Sequence, residues 1–146
     1  HWDPYVRGMI MGITRGVTKA HLVRATLEAI VYQTKDVVDV MARDSQIPLT
    51  ELKVDGGASV NNFICQFLAD LTAIQVQRPR VFETTALGAA YLAGLAVGFW
   101  DSQEDIQKHW QAQEIYNPAM RQAERLRLVN GWDKAITSAK SWVSDD

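Results

Sequence analysis

The residues best equipped for chemistry lie together at positions 54–63, VDGGASVNNF. A strand-like run ends in Asp55, Gly56 and Gly57 follow, and an amphipathic helix begins at the pair Asn61 and Asn62. Adjacent glycines leave the backbone bare, so a flat or anionic ligand can lie against it with no Cβ in the way. The helix behind them offers free backbone N–H groups and the positive end of its dipole. Ligands of open α/β sheets lie beyond the carboxyl ends of strands, which is where this turn falls. The plainer alternative is a tight turn with solvated asparagines. Taken alone, the ten residues favour that alternative, because they match neither G-x-G-x-x-G nor the Walker P-loop.

Other reactive side chains are poorly grouped. Asp55 stands beside the glycines, where it can cap the turn or orient a phosphate or a metal-bound water. His1, His21 and His109 show no ligand-like spacing with one another or with Cys65, so no metal ligand is assigned. Cys65 sits on the border between the polar and apolar faces of its helix and reads as a packing residue. No histidine or acid is tied by a motif to Ser59, so a hydrolytic triad has no support. Trp100, Trp110, Trp132 and Trp142 are expected to anchor the terminal helices on the core.

The 146 residues amount to about one domain, 47% hydrophobic and 22% charged. The net charge of −2 and the lack of a basic block argue against a nucleic-acid or anionic-membrane partner. Residues 86–100 form an apolar run of 15 with three glycines, short of the ~20 needed to span a membrane. It is expected to be a helix buried on most sides. One cysteine allows no internal disulfide, and no signal peptide is evident, so a cytoplasmic location is expected.

Periodicity supplies the frame around the glycine turn. Residues 8–14 suggest a short buried strand. Thr18 suits the N-cap of a long helix to about Asp44, with Val23, Leu27, Ile30, Thr34, Val37, Val38 and Met41 as its apolar face. Arg24–Glu28 and Lys35–Asp39 would pair on its exposed side. Residues 51–55 alternate as a strand, and Phe63, Ile64, Phe67, Leu68 and Leu71 recur at helical spacing after the glycines. Residues 74–79 form the next strand, placed near a sheet edge because Pro79 ends it. Beyond Trp100 the chain reads as polar helix at 102–110, a break at 116–120, and a helix or helix pair hinged near Gly131. Strands alternating with helices define an α/β layer structure, a small sheet flanked by helices.

Taken in order, WDPYVRG, GITRG, RATLEAIVYQT, VDGGASVNNF, TALGAAYLAGLAVGFW and GWDKAI resemble the C-terminal part of the glycerol kinases, a branch of the FGGY carbohydrate kinase family. The resemblance runs over nearly the whole chain. Asn61-Asn62-Phe63 after the glycines follows the glycerol branch, whereas other sugar kinases of the family usually place a Lys-Ser pair and a tryptophan there. The resemblance implies an incomplete ribonuclease-H-like domain of the actin-like ATPase type. Residues 1–146 would be the C-terminal nucleotide-binding domain, with 102–146 its helical tail.

The implied reaction is transfer of the γ-phosphoryl group of Mg–ATP to a terminal hydroxyl of glycerol. By the same resemblance Gly57 and Asn61 contact the nucleotide, Gly56 and Ala58 shape that wall, and Asp55 lies near the phosphates and Mg2+. The substrate pocket and catalytic aspartate of such kinases would lie upstream, so the chain alone is expected to be inactive and no catalytic residue is assigned in it. A homo-oligomer is implied for the full-length enzyme. The surface that meets a phosphotransferase regulator in enteric members is matched only by Pro118 and Glu124-Arg125, and that regulation is not carried over. Two alternatives stand beside this reading: another FGGY sugar kinase, and a non-catalytic self-associating module.

Overall fold

The computed structural model describes residues 3–81, 84–108 and 112–142. Helix α1 (Lys19–Ser45) opens at Thr18, whose backbone N–H donates to His21 Nδ1 at 3.1 Å, a reciprocal cap. It closes at Gln46, which takes the left-handed conformation and returns its N–H to the Ala42 carbonyl. Strand β1 (Glu51–Lys53) leads through the glycine turn, with one 3-10 turn at Gly57–Val60, into α2 (Asn62–Thr72). Strand β2 (Gln75–Pro79), helices α3 (Thr84–Ala96) and α4 (Gln103–Gln107), strand β3 (Ala112–Tyr116) and helix α5 (Gln122–Lys140) follow.

The sheet runs β1-β2-β3. β1 and β2 are parallel, with Leu52 opposite Val76, and α2 makes the crossover between them. β3 returns antiparallel on the other side of β2, setting Glu114 opposite Arg78. β2 is therefore the central strand, not one near the edge. Pro79 stands at the end of β2, where the β2–β3 register slips between Arg78 and Pro79.

The core lies where α2 meets α1 on one side and β2 on the other. Val31 and Tyr32 of α1, Cys65, Phe67, Leu68, Ala69 and Leu71 of α2, and Val76 of β2 are its buried members. Phe63 and Ile64 pack at its margin. Each fully buried large side chain contributes about 1.5–3 kcal/mol, so α2 is the element the core is built on. Trp132 joins α5 to this core: its ring stacks on Tyr32 at 5.1 Å and its indole N–H donates to Asp36 at 2.8 Å. The carboxylate of Asp70 accepts from the N–H groups of Ala119 and Met120, holding the β3–α5 connection against α2.

Several expectations change. The buried stripe of α1 is Val31, Tyr32 and Val38, whereas Val23, Ile30, Val37 and Met41 are exposed. α1 carries apolar residues on two adjacent stripes, and Tyr32 meeting Phe67 edge-on decides which one faces α2. Residues 8–14 form no strand; Met9, Ile10, Met11 and Ile13 are exposed, and no described strand lies beside them. α3 is largely exposed, and Gly94 is its buried residue. α5 passes through Gly131 as one helix without a hinge. β3 falls between the polar helix expected at 102–110 and the break at 116–120, in residues that the sequence assigns to no element apart from Tyr116. The pairs Arg24–Glu28 and Lys35–Asp39 form as expected, with the Lys35 side chain largely covered and not exposed.

Trp100 folds back onto α3, against Tyr91 and Phe99, instead of reaching the core. Trp142 is exposed. Trp110, His1 and His109 lie outside the described residues.

Candidate functional site

The glycine turn joins the carboxyl end of β1 to the start of α2. Gly56 has φ +77° and ψ 175°, a conformation essentially confined to glycine. No atom lies within 4 Å of where a Cβ would stand on Gly56 or Gly57, so both present bare backbone to open space. Ser59 is buried beneath them, its hydroxyl donating to the Gly56 carbonyl at 2.8 Å and its N–H to the same oxygen at 3.1 Å. The turn is thus tied from below and open from above. Ala58, in the 3-10 turn, is exposed on the same segment.

Asn61 is the N-cap of α2, and its side-chain oxygen accepts from the Phe63 N–H at 3.0 Å. The structure therefore brings Asp55, Gly56, Gly57, Ala58 and Asn61 into one short segment, with Asn61 holding a helix end as well as standing beside the open backbone. Asp55 does not cap the turn. Its carboxylate accepts from the Thr84 hydroxyl, which fixes the start of α3 beside the turn. An open cleft of about 890 Å³ lies next to this contact. It is lined by Lys53 and Pro79, the last residues of β1 and β2, with Arg80, Thr84, Leu87 and Tyr91. That is the carboxyl end of the parallel pair, where α/β sheets place ligands.

A second set of residues escaped the sequence reading. Arg78 of β2 is only 5% exposed. Its Nη1 donates to the carbonyls of Ser59 and Val60, each at 3.0 Å, and to Asn62 Oδ1 at 2.8 Å. Its Nη2 pairs with the Glu114 carboxylate at 2.6 Å. The Tyr116 hydroxyl lies 3.0 Å from Asn62 Oδ1 and also bonds Glu114. Partial burial and the bond to Glu114 push the Tyr116 phenol up to about 12. The bond from Tyr116, reinforced by Arg78, holds the Glu114 carboxyl below its usual range. One signal was present: Arg78 shares strand parity with buried Val76, so an always-charged side chain falls on the apolar face.

Cys65 is buried, and its thiol lies 3.2 Å from the Ser59 carbonyl. Burial pushes the thiol pKa up, the opposite of an activated nucleophile. Among the described residues no group of three His, Cys, Asp or Glu side chains could hold a metal ion. No helix among them is long and apolar enough to cross a membrane.

A family model, the C-terminal domain of the FGGY family of carbohydrate kinases, matches residues 1–97. The chain belongs to that family, and its fold is an incomplete ribonuclease-H-like domain of the actin-like ATPase type. Within the family it is similar to glycerol kinases. It is 55% identical over 145 residues to the glycerol kinase of Caldanaerobacter subterraneus, covering 99% of the chain and 29% of that protein. It is 56% identical over 142 residues to glycerol kinase 2 of Thermotoga maritima, covering 97% of the chain and 29% of that protein. A Plasmodium falciparum glycerol kinase solved with ADP superposes with a TM-score of 0.83 at 32% identity, over 94% of this chain and 28% of that one. A xylulose kinase of Lactobacillus acidophilus shares the fold, with a TM-score of 0.75 at 23% identity over 97% of this chain and 30% of that one. The chain thus spans under a third of the length of these relatives.

Proposed function

We propose that the chain is the C-terminal nucleotide-binding part of an ATP-dependent glycerol kinase, converting ATP and glycerol to ADP and glycerol 3-phosphate. The observation that carries this reading is the similarity to glycerol kinases above 50% identity over nearly the whole chain. The open backbone at Gly56 and Gly57 fits the role, since a nucleotide can approach it without meeting a side chain. On this reading Gly57 and Asn61 would contact the nucleotide, Gly56 and Ala58 would shape the wall, and Asp55 would lie near the phosphates and Mg2+.

Mg–ATP supplies the transferred phosphoryl group, with the metal offsetting the charge that develops on its oxygens. This chain's residues bind and orient. Gly56 gives the backbone its sharp turn, Ser59 braces it, and Asn61 fixes where α2 begins. The acid that accepts the glycerol proton belongs to the part of the enzyme outside this chain, so residues 1–146 alone do not turn over. The full-length enzyme is proposed to be a cytoplasmic homo-oligomer.

The test joins this chain in frame to the portion of the Caldanaerobacter enzyme that it does not cover. ATP-dependent phosphorylation of glycerol, with xylulose and gluconate as controls, is the expected result. Turnover of a pentose with none of glycerol would assign the chain to another FGGY sugar kinase. A protein that binds no nucleotide in this setting would leave the self-associating module, which the exposed Ile10, Ile13, Val37 and Met41 favour.

A further inference from the structure

We infer that Arg78 is the positioning residue of the nucleotide turn, setting the spacing between Gly57 and Asn61 from beneath. This rests on the reading of those two residues as nucleotide contacts.

The turn has little rigidity of its own. Two glycines and a single 3-10 turn lose more conformational freedom on ordering than most segments of that length. The carbonyls of Ser59 and Val60, at the end of the 3-10 turn, are claimed by the guanidinium. The same Nη1 holds the side chain of Asn62, the first residue of α2 and the neighbour of Asn61. One planar cation therefore fastens the end of the turn and the start of the helix to a single point on the central strand. The two protons of Nη1 are shared among three oxygen acceptors, and the bonds are charge-assisted because the guanidinium is a cation.

The guanidinium is itself fixed from the far side. Glu114 holds Nη2, Tyr116 bonds Glu114 and approaches Asn62, and the Arg78 guanidinium carbon lies 5.6 Å from the centre of the Tyr116 ring. Glu114 and Tyr116 both belong to β3, outside residues 1–97 matched by the family model. The tail of the chain thus reaches the nucleotide turn through Arg78. A lysine at this position offers one compact nitrogen, which cannot serve the turn and helix acceptors of Nη1 and the Glu114 partner of Nη2 together.

The test uses the in-frame fusion described above and compares it with its Arg78→Lys and Asn62→Ala variants. Arg78→Lys is expected to raise the KM for ATP about tenfold while kcat and the KM for glycerol stay within about twofold, in keeping with loss of charge-assisted bonds at one substrate's site. Asn62→Ala removes one of the three acceptors and is expected to raise the KM for ATP about threefold. An unchanged KM for ATP with a lowered unfolding temperature, or equal rises for ATP and glycerol, would show a structural role only and overturn the inference. If Arg78→Lys fails to fold, Asn62→Ala decides: a rise confined to ATP supports positioning, and no rise overturns it. A parent fusion that binds no ADP removes the functional reading itself; a parent that binds ADP as tightly as both variants removes only the role of Arg78.

Discussion

α2 and α3 are the two most apolar helices of the chain, and the molecule treats them in opposite ways. α2 is wedged between α1 and the sheet and buries Cys65, Phe67, Leu68, Ala69 and Leu71. α3 buries Gly94 alone, under the ring of Trp100, and leaves Leu92 69% exposed. The apolar residues of α2 are gathered on one side, whereas those of α3 run all round it. A sided helix states which face must be covered and finds its cover within the chain. A helix apolar on every side demands cover without saying from where, and the described residues provide little of it.

The largest expected effect tests that contrast. Leu71→Ala removes a side chain 1% exposed at the centre of the core and should cost about 2–5 kcal/mol in urea unfolding. Leu92→Ala on α3 deletes the same atoms from an exposed face and should change stability by less than about 0.5 kcal/mol. Similar losses at both sites would mean that α3 is covered in the folded protein and that the two helices are equivalent after all.

The same contrast separates the elements that are legible in the sequence from those that are not. The β1–turn–α2–β2 unit was legible because Leu52 and Val54, then Phe63 to Leu71, then Val76 keep clean periods of two and of three to four. The buried stripe of α1 was legible only at Val38, because Ile30 and Val37 continue an apolar pattern as well as Val31 and Tyr32 do. Tertiary partners of Tyr32, Phe67 edge-on and Trp132 stacked, select the second stripe. The glycine turn was legible as a place where backbone is bared. Its supports were not: Thr84 reaches Asp55 across 29 positions, and Arg78 reaches Ser59 across 19. β3 was hidden because its five residues offer only weak alternation, and pairing with Gln77 and Arg78 is what defines it.

The next effect in size separates two adjacent glycines. Gly56→Ala forces a side chain into a backbone conformation with φ +77° and should cost about 1–3 kcal/mol of stability. Gly57 has no positive φ, and a methyl there meets nothing within 4 Å, so Gly57→Ala should leave unfolding almost unchanged. It would instead place that methyl on the wall proposed to receive the nucleotide and weaken ADP binding in the fusion. Equal loss of stability at both glycines would make the turn a structural device only. Weakened ADP binding with normal unfolding for Gly57→Ala would divide the pair into a residue that shapes the turn and one that meets the ligand.

The smallest effect distinguishes the polar brace from the apolar core by pH. Tyr116 and Tyr32 both have phenols pushed up to about 12, the first by burial and its bond to Glu114, the second by burial and the nearby Glu28. A raised phenol pKa means the folded protein holds the neutral form more firmly than the unfolded chain does. The resulting stability is fully present below pH ~10, the unfolded value, and is lost as pH rises from there toward 12. Glu114 works in the other direction: its lowered carboxyl pKa contributes stability above the unfolded value near ~4.3, lost as pH falls through the folded value. Tyr116→Phe should therefore flatten the alkaline limb of a stability–pH profile and, by removing the bond that lowers the Glu114 pKa, soften the acid limb as well. Tyr32→Phe should flatten the alkaline limb alone. If both variants altered only the alkaline limb, Tyr116 would have no hold on Glu114, and the brace behind Arg78 would rest on the ion pair by itself.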